Sequence, residues 1–296
     1  MSSVIPEGSY PIRDFARLTG VNPATLRAWE RRYGIIKPLR TPKGHRYYNK
    51  EHIYKVNRIL HWLEQGYPIR HVELLLSEDQ LTPQTQSSVA ADDWQQEQQK
   101  LLQALRTLNP DRLQELWTNA FANYPFAVYY QYCLHPLINE LQGQSSHPML
   151  LKTLEYLLHQ RLSCLMSQQQ QHASAPVLLM ATNHIDGEME VLIRACSIGA
   201  AGLKVEYLGP RLTPEEVSIA ADALNADAVW IHFMPQDKVS ESNWHRYLSE
   251  TEQPHWLSGH APMHEDDNPG IRIMTKPLNQ QIHCYILGCG GRLDEQ

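Results

Sequence analysis

The spacing of apolar residues divides the chain into three stretches. Up to about Ser77, short amphipathic runs alternate with glycine. In YPIRDFARLTGVNPATLRAWERRYG, Ile12, Phe15, Ala16 and Leu18 mark the inner face of a short helix. Gly20 ends it and Val21 packs inward. Asn22 caps a second helix that has Pro23 at its first position. Leu26 and Trp29 point to the core, which leaves Thr25, Arg27, Glu30 and Arg31 outward. KPLRTPKGHRYYNK turns at Gly44 and predicts a β-hairpin. Two further helices follow, with Gly66 between them.

SEDQLTPQTQSSVAADD (77–93) is polar and reads as a linker. From Trp94 to about Ser167, apolar residues recur at three and four in LLQALRTL, in RLQELWTNAF and over residues 150–166, and Pro110 opens a helix. These helices predict a small bundle. Its aromatic residues Trp117, Phe121, Tyr124, Tyr129, Tyr130 and Tyr132 read as core, with an apolar effector pocket between bundle and sheet as the other reading. QQQQHASAP (168–176) is a second linker. Strand and helix then alternate: PVLLMAT, EMEVLIRACSIGAAG, LKVEYLG, TPEEVSIAADALN, AVWIHF, SESNWHRYLSE, PHWLSG and a late strand, CYILG. That alternation predicts a Rossmann-like, doubly wound parallel sheet. The expected class is α plus α/β, in three domains: 1–77, 92–170 and 175–296.

Charge sharpens this division. The whole chain carries 26 Lys+Arg against 32 Asp+Glu, a net −6. Residues 1–76 hold 13 of those cations and 6 of the acids, so this stretch is +7 and the rest −13. A basic head on an acidic body points to a polyanion partner at one end. No window reaches the roughly 18 apolar residues of a membrane helix. MSSVIPEGSYPIRDF lacks the layout of a secretory signal, and Cys133, Cys164, Cys196, Cys284 and Cys289 form no CxxC pair. A cytoplasmic protein with reduced thiols is expected. Catalytic chemistry finds no support, because Glu188 and Glu190 are too close in sequence to face each other on a helix. His255, His260 and His264 cross a strand end and a loop, so no metal site is expected.

A helix with Thr25 and Arg27 near its start, following a tight turn, suits a major groove: Arg bridges guanine and Thr meets a thymine methyl. The hairpin carries Arg40, Lys43, His45, Arg46, Tyr47 and Tyr48, groups that meet phosphates. The order of turn, helix, R-T-x-x-G-x-R-x-Y and glycine-joined helices over about residues 10–76 resembles the winged helix-turn-helix DNA-binding domain of the MerR family. AWERRYG is similar to the CarA/CarH/MlrA-like branch, which carries a cobalamin-type C-terminal domain. The resemblance implies Thr25, Arg27, Glu30 and Arg31 near bases, and Arg40, His45, Arg46 and Tyr48 near the backbone. With Arg13 and Lys43 these form the candidate DNA-binding set. It also implies a homodimer on double-stranded promoter DNA and activation with RNA polymerase by promoter distortion.

The body resembles a bundle cap and a cobalamin-binding domain, with departures. Gly187 and Glu188 match the strand-loop motif, but Glu190 stands where relatives place the cobalt-ligating histidine, and Ile193 where they place glycine. Carboxylate is a harder ligand than imidazole. Leu151 and Lys152 stand where the cap's Glu-His pair belongs, and the late Gly-Gly is Ser258-Gly259. No cofactor is therefore expected, and the domain is left to oligomerisation or effector sensing. His184 reads as a satisfied loop histidine rather than a substitute ligand. Ligands in open α/β sheets sit beyond the strand carboxyl ends. The candidate small-molecule effector pocket is accordingly Asn183, His184, Asp186, Gly187, Glu188 and Glu190. Two alternatives stay open: a corrinoid-binding, light-responsive repressor, and a corrinoid-dependent enzyme fragment, which Glu190 and Ile193 count against.

Overall fold

The computed structural model describes residues 8–77, 87–143, 148–170 and 176–290. It confirms the α plus α/β class. In the head, α1 (Ile12–Thr19) and α2 (Pro23–Ala28) meet at a tight turn, and a π-helical turn, Trp29–Tyr33, continues α2. The Asn22 side chain accepts from the Ala24 N–H at 2.8 Å, as a capping residue should. Phe15, Ala16 and Thr19 are the buried residues of α1, whereas Ile12 and Leu18 are half-buried. The wing is β2 (Leu39–Arg40) and β3 (Arg46–Tyr48), extended by β1 (Tyr10–Pro11) into an antiparallel sheet of order β1-β3-β2. Gly44, with φ +82°, makes its turn. Next come α3 (Lys50–Glu64), opened by an Asn49–His52 capping box, and α4 (Ile69–Ser77).

The bundle comprises α5 (Ser87–Arg106), α6 (Pro110–Asn123), α7 (Phe126–Tyr129), α8 (His135–Gly143) and α9 (Pro148–Gln170), with a π-helical turn, Tyr130–Leu134, between α7 and α8. Both expected linkers are thus shorter: residues 87–93 are helical, and α9 continues through 168–170. The remaining linker residues, 78–86 and 171–175, lie outside the described residues. Trp117, Phe121 and Tyr129 are buried, while Tyr124, Tyr130 and Tyr132 are half-buried. Contacts divide the chain into two compact units: one runs to Arg161 and resumes at Ile286, the other is Leu162–Tyr285.

The head and the bundle therefore share a unit. The Trp94 indole donates to the Gly66 carbonyl at 2.7 Å, and the Tyr132 hydroxyl to that of Glu64 at 2.5 Å. Arg70 and His71 both pair with Asp93.

The second unit is a five-stranded parallel sheet of order β5-β4-β6-β7-β8. Its strands are β4 (Val177–Thr182), β5 (Lys204–Tyr207), β6 (Ala228–Phe233), β7 (His255–Gly259) and β8 (Ile271–Met274). The intervening helices are α10 (Glu188–Ala200), α11 (Pro214–Leu224) and α12 (Lys238–Glu250), and α13 (Leu278–Gly290) follows β8. Thr213 and Glu216 form a capping box before α11. Val229, Ile231 and Phe233 of β6 pack with Val217 of α11 and Trp244 and Leu248 of α12. Trp230 faces the other way, toward Arg194 of α10 and Tyr285 of α13.

The late strand is a correction. CYILG lies in α13, where Gln281, Ile282 and Tyr285 are buried at helical spacing. The edge strand is instead β8, IRIM. Among the described residues no helix is long and apolar enough to cross a membrane.

Candidate nucleic-acid interface and sheet crevice

The head gathers three arginines and one histidine of the expected set. Arg13 at the start of α1, Arg27 of α2 and His45 and Arg46 of the wing line one open cleft of about 570 Å³. The first turn of α1 also lines it, and its N-cap, Pro11, offers no side-chain acceptor to the helix N–H groups. An anion is favoured at such a terminus by both free N–H groups and the helix dipole. Sequence reasoning did not find this feature, although its signal is legible: proline at the cap position has no acceptor to give. Arg31, Lys43 and His45 are exposed. Guanidinium groups and free helix N–H groups around one cleft can take up the phosphate oxygens of a polyanion.

Three members of the expected set stand elsewhere. Thr25 is buried, and its hydroxyl donates to the Phe121 carbonyl at 3.5 Å. The Trp29 indole donates to the Asn123 carbonyl at 2.8 Å. The inward face of α2 thus rests on α6, and Thr25 belongs to that face. Arg32, which the sequence did not single out, reaches the Asn123 and Asn119 side chains at 3.1 and 3.4 Å. Tyr48 is also interior: its ring stacks on Phe15 at 4.1 Å and 8°. Burial pushes its hydroxyl up to about 12. Stacking on the α1 core, rather than phosphate contact, is its structural role.

Glu30 is the third. Its Oε1 accepts from Arg40 Nη2 and its Oε2 from Arg46 Nε, both at 2.6 Å. Burial alone would raise its pKa, but the two guanidinium hydrogen bonds outweigh this and hold the carboxyl below its ordinary value.

In the body, strand order reverses between β4 and β6, and a cleft of about 410 Å³ opens beyond their carboxyl ends. Asn183, His184, Arg211 and Gln236 are among its lining residues, and Asn183 Nδ2 donates to Gln236 Oε1 at 3.1 Å. Asn183 brackets two loops: its Oδ1 accepts from the Met234 N–H at 2.8 Å and its Nδ2 donates to the Met234 carbonyl at 3.0 Å. Asp186, Gly187, Glu188 and Glu190 are not in its lining. Asp186 is exposed, and Glu188 accepts from the Tyr207 hydroxyl at 3.2 Å.

Glu190 belongs to a separate polar chain. Its Oε2 accepts from Arg194 Nη1 at 3.0 Å and lies 3.5 Å from His232 Nε2. Arg194 is 2% exposed, reaches Gln281 at 3.3 Å and lies over the Trp230 ring at 5.9 Å. His232 Nδ1 is 3.1 Å from the Ser258 hydroxyl oxygen, which accepts from the Trp230 indole at 3.0 Å. Ser258 Oγ thus bridges the Trp230 indole and the His232 ring. Burial, then the Arg194 charge, lower the His232 pKa to about 4, against the pull of Glu190. Packing around the imidazole is close. A Cβ on Gly187 would lie 2.5 Å from Thr182 Oγ1 and 3.1 Å from His232 Cδ2, and one on Gly259 would lie 3.0 Å from His232 Cε1.

His255, His260 and His264 do not converge. His255 is buried against Tyr247 and the Gln253 carbonyl, His260 bonds through its backbone to Phe233, and His264 is exposed. Among the described residues, no group of three or more His, Cys, Asp or Glu could hold a metal ion.

Comparison with known proteins agrees with the head's geometry. Residues 10–79 match the MerR HTH family regulatory protein model. The HTH-type transcriptional regulator MlrA of Salmonella typhimurium is 37% identical over 136 residues, 46% of this chain and 53% of the relative. MlrA of Escherichia coli K12 is 34% identical over 135 residues, again 46% and 53%. The chain thus spans about half the length of these relatives. The HTH-type transcriptional repressor CarH of Myxococcus xanthus is 26% identical over 238 residues, 75% of this chain and 78% of the relative. A cobalamin-binding protein from Desulfitobacterium hafniense DCB-2 overlays with TM-score 0.31 at 15% identity, covering 64% of this chain and 97% of that one. With its turn, second helix and wing in place, the head matches the MerR helix-turn-helix model, and the chain is homologous to the MlrA and CarH regulators.

Proposed function

We propose that the protein is a sequence-specific, double-stranded-DNA-binding transcriptional regulator that works in the cytoplasm as a homodimer, without enzymatic activity. The convergence of Arg13, Arg27, His45 and Arg46 on one cleft carries the reading. Two such heads would set two reading helices in successive major grooves of a pseudo-palindrome. The mode we propose is activation with RNA polymerase by distortion of the promoter, as the family resemblance implies. Selecting duplexes from a random-sequence pool with the full chain tests this. Enrichment of paired, inverted half-sites about one helical turn apart is expected, whereas an unenriched pool opposes it. Transcription from a promoter carrying the selected site then fixes the sign of regulation.

The body does not fit a corrinoid. Glu190 replaces the imidazole and is already engaged by Arg194, Ile193 is fully buried, and His232 fills the space between Glu190, Ser258 and Gly259. We propose that it serves self-association or sensing without this cofactor. After incubation with hydroxocobalamin and gel filtration, the protein should carry no corrin absorbance; a stoichiometric visible spectrum would reverse this reading.

A further inference from the structure

We propose that Glu30 is a positioning residue that holds the two wing arginines in register with the reading helix, and that it does not itself contact bases. The inference rests on the DNA-binding reading above and deepens it. Arg40 and Arg46 are direct partners in the antiparallel pairing of β2 with β3. Like charges placed opposite each other across a hairpin repel. Glu30 comes from the π-helical turn after α2 and gives one carboxylate oxygen to each of them. The wing can therefore keep a cross-strand arginine pair, and its distance from the reading helix is set by two short ionic hydrogen bonds. Arg46 is engaged through Nε and Arg40 through one Nη. Each guanidinium keeps its other N–H donors for phosphate oxygens. The Glu30 side chain is 18% exposed with both oxygens occupied, so accepting from a cytosine amino group would break the clamp.

The test compares wild type with Glu30→Gln on a duplex selected from a random pool by the wild-type protein, and on a scrambled duplex of the same composition. Glu30→Gln removes a negative charge beside DNA, so simple electrostatics raises affinity for both duplexes. A positioning role predicts the opposite on the selected duplex, a loss of about tenfold, with scrambled-duplex affinity unchanged or raised. On the selected duplex the slope of log K against log salt should fall by about 1 to 2 as Arg40 and Arg46 lose their register with its phosphates, with the scrambled-duplex slope unchanged. Glu30→Asp, charged but shorter, should recover part of the loss. Thermal unfolding of each variant checks that the head remains folded. Unchanged selected-duplex affinity and slope overturn the proposal. So does a changed preference at one base pair with the slope intact, which would make Glu30 a reader. A wild-type protein that enriches no duplex refutes the DNA-binding reading itself, a separate result.

Discussion

The head and the body use polar side chains in opposite ways. In the head, Arg13, Arg27, His45 and Arg46 stand around an open cleft. One exposed carboxylate, Asp14, lines the cleft with them, and Glu30, outside that lining, pairs with Arg40 and Arg46 of the wing. In the body, buried Gln281, Arg194, His232, Ser258 and Trp230 are linked through the half-exposed Glu190, which meets both Arg194 and His232. Charges left in solvent cost little to hold and remain available to a polyanion. Charges taken inside must be paired, and pairing makes them part of the fold. The two ends of one chain thus show how a surface meant for a partner differs from a crevice that has become its own partner.

The contrast fails if substitutions in the two regions affect the same property. The largest effect belongs to the body: Trp230→Ala removes a fully buried indole and should cost about 3–5 kcal/mol by chemical denaturation. Duplex affinity of the remaining folded protein should be unchanged. In the head, Arg27→Ala should cost about 1–3 kcal/mol of selected-duplex affinity, read by gel shift, while its exposed position keeps stability within about 0.5 kcal/mol.

Acid sharpens the comparison. The folded-state pKa of His232 lies below its unfolded value, so below about pH 6.5 the unfolded state binds more protons. Stability should therefore fall from about pH 6.5 toward pH 4, and His232→Asn should flatten that fall in a pH series of thermal midpoints. A smaller loss than at Trp230 is expected at the join between head and bundle. Gly66 has φ +90°, and a Cβ there would lie 2.8 Å from Tyr132 Cε1. Gly66→Ala should lose about 1–2 kcal/mol in the same denaturation assay.

Much of the fold is legible because its signals are local. Asn22 with Pro23, Thr213 with Pro214, and the glycine turns at Gly20, Gly44 and Gly66 announce element ends within a few residues. What escaped depends on contacts distant in sequence. Thr25 lies on the solvent side of a lone helix, but α6 covers that side with Phe121. Tyr48 looks like a phosphate ligand until Phe15 stacks on it. An apolar run such as CYILG suits a strand or a buried helix equally by periodicity, and its packing decides. In the body, only Asn183 and His184 of the expected pocket line the open cleft. Glu190 meets His232 across 42 positions, from α10 to β6, and no spacing rule links them.

The most direct measurement is fluorescence anisotropy of the full chain against a pool-selected duplex over a salt series, with Arg13→Ala, Arg27→Ala and Arg46→Ala alongside. Affinity should fall steeply as salt rises, and each variant should bind more weakly than wild type. Absence of binding at low ionic strength, or equal affinity of all four proteins, would contradict the cationic cleft as the reading head.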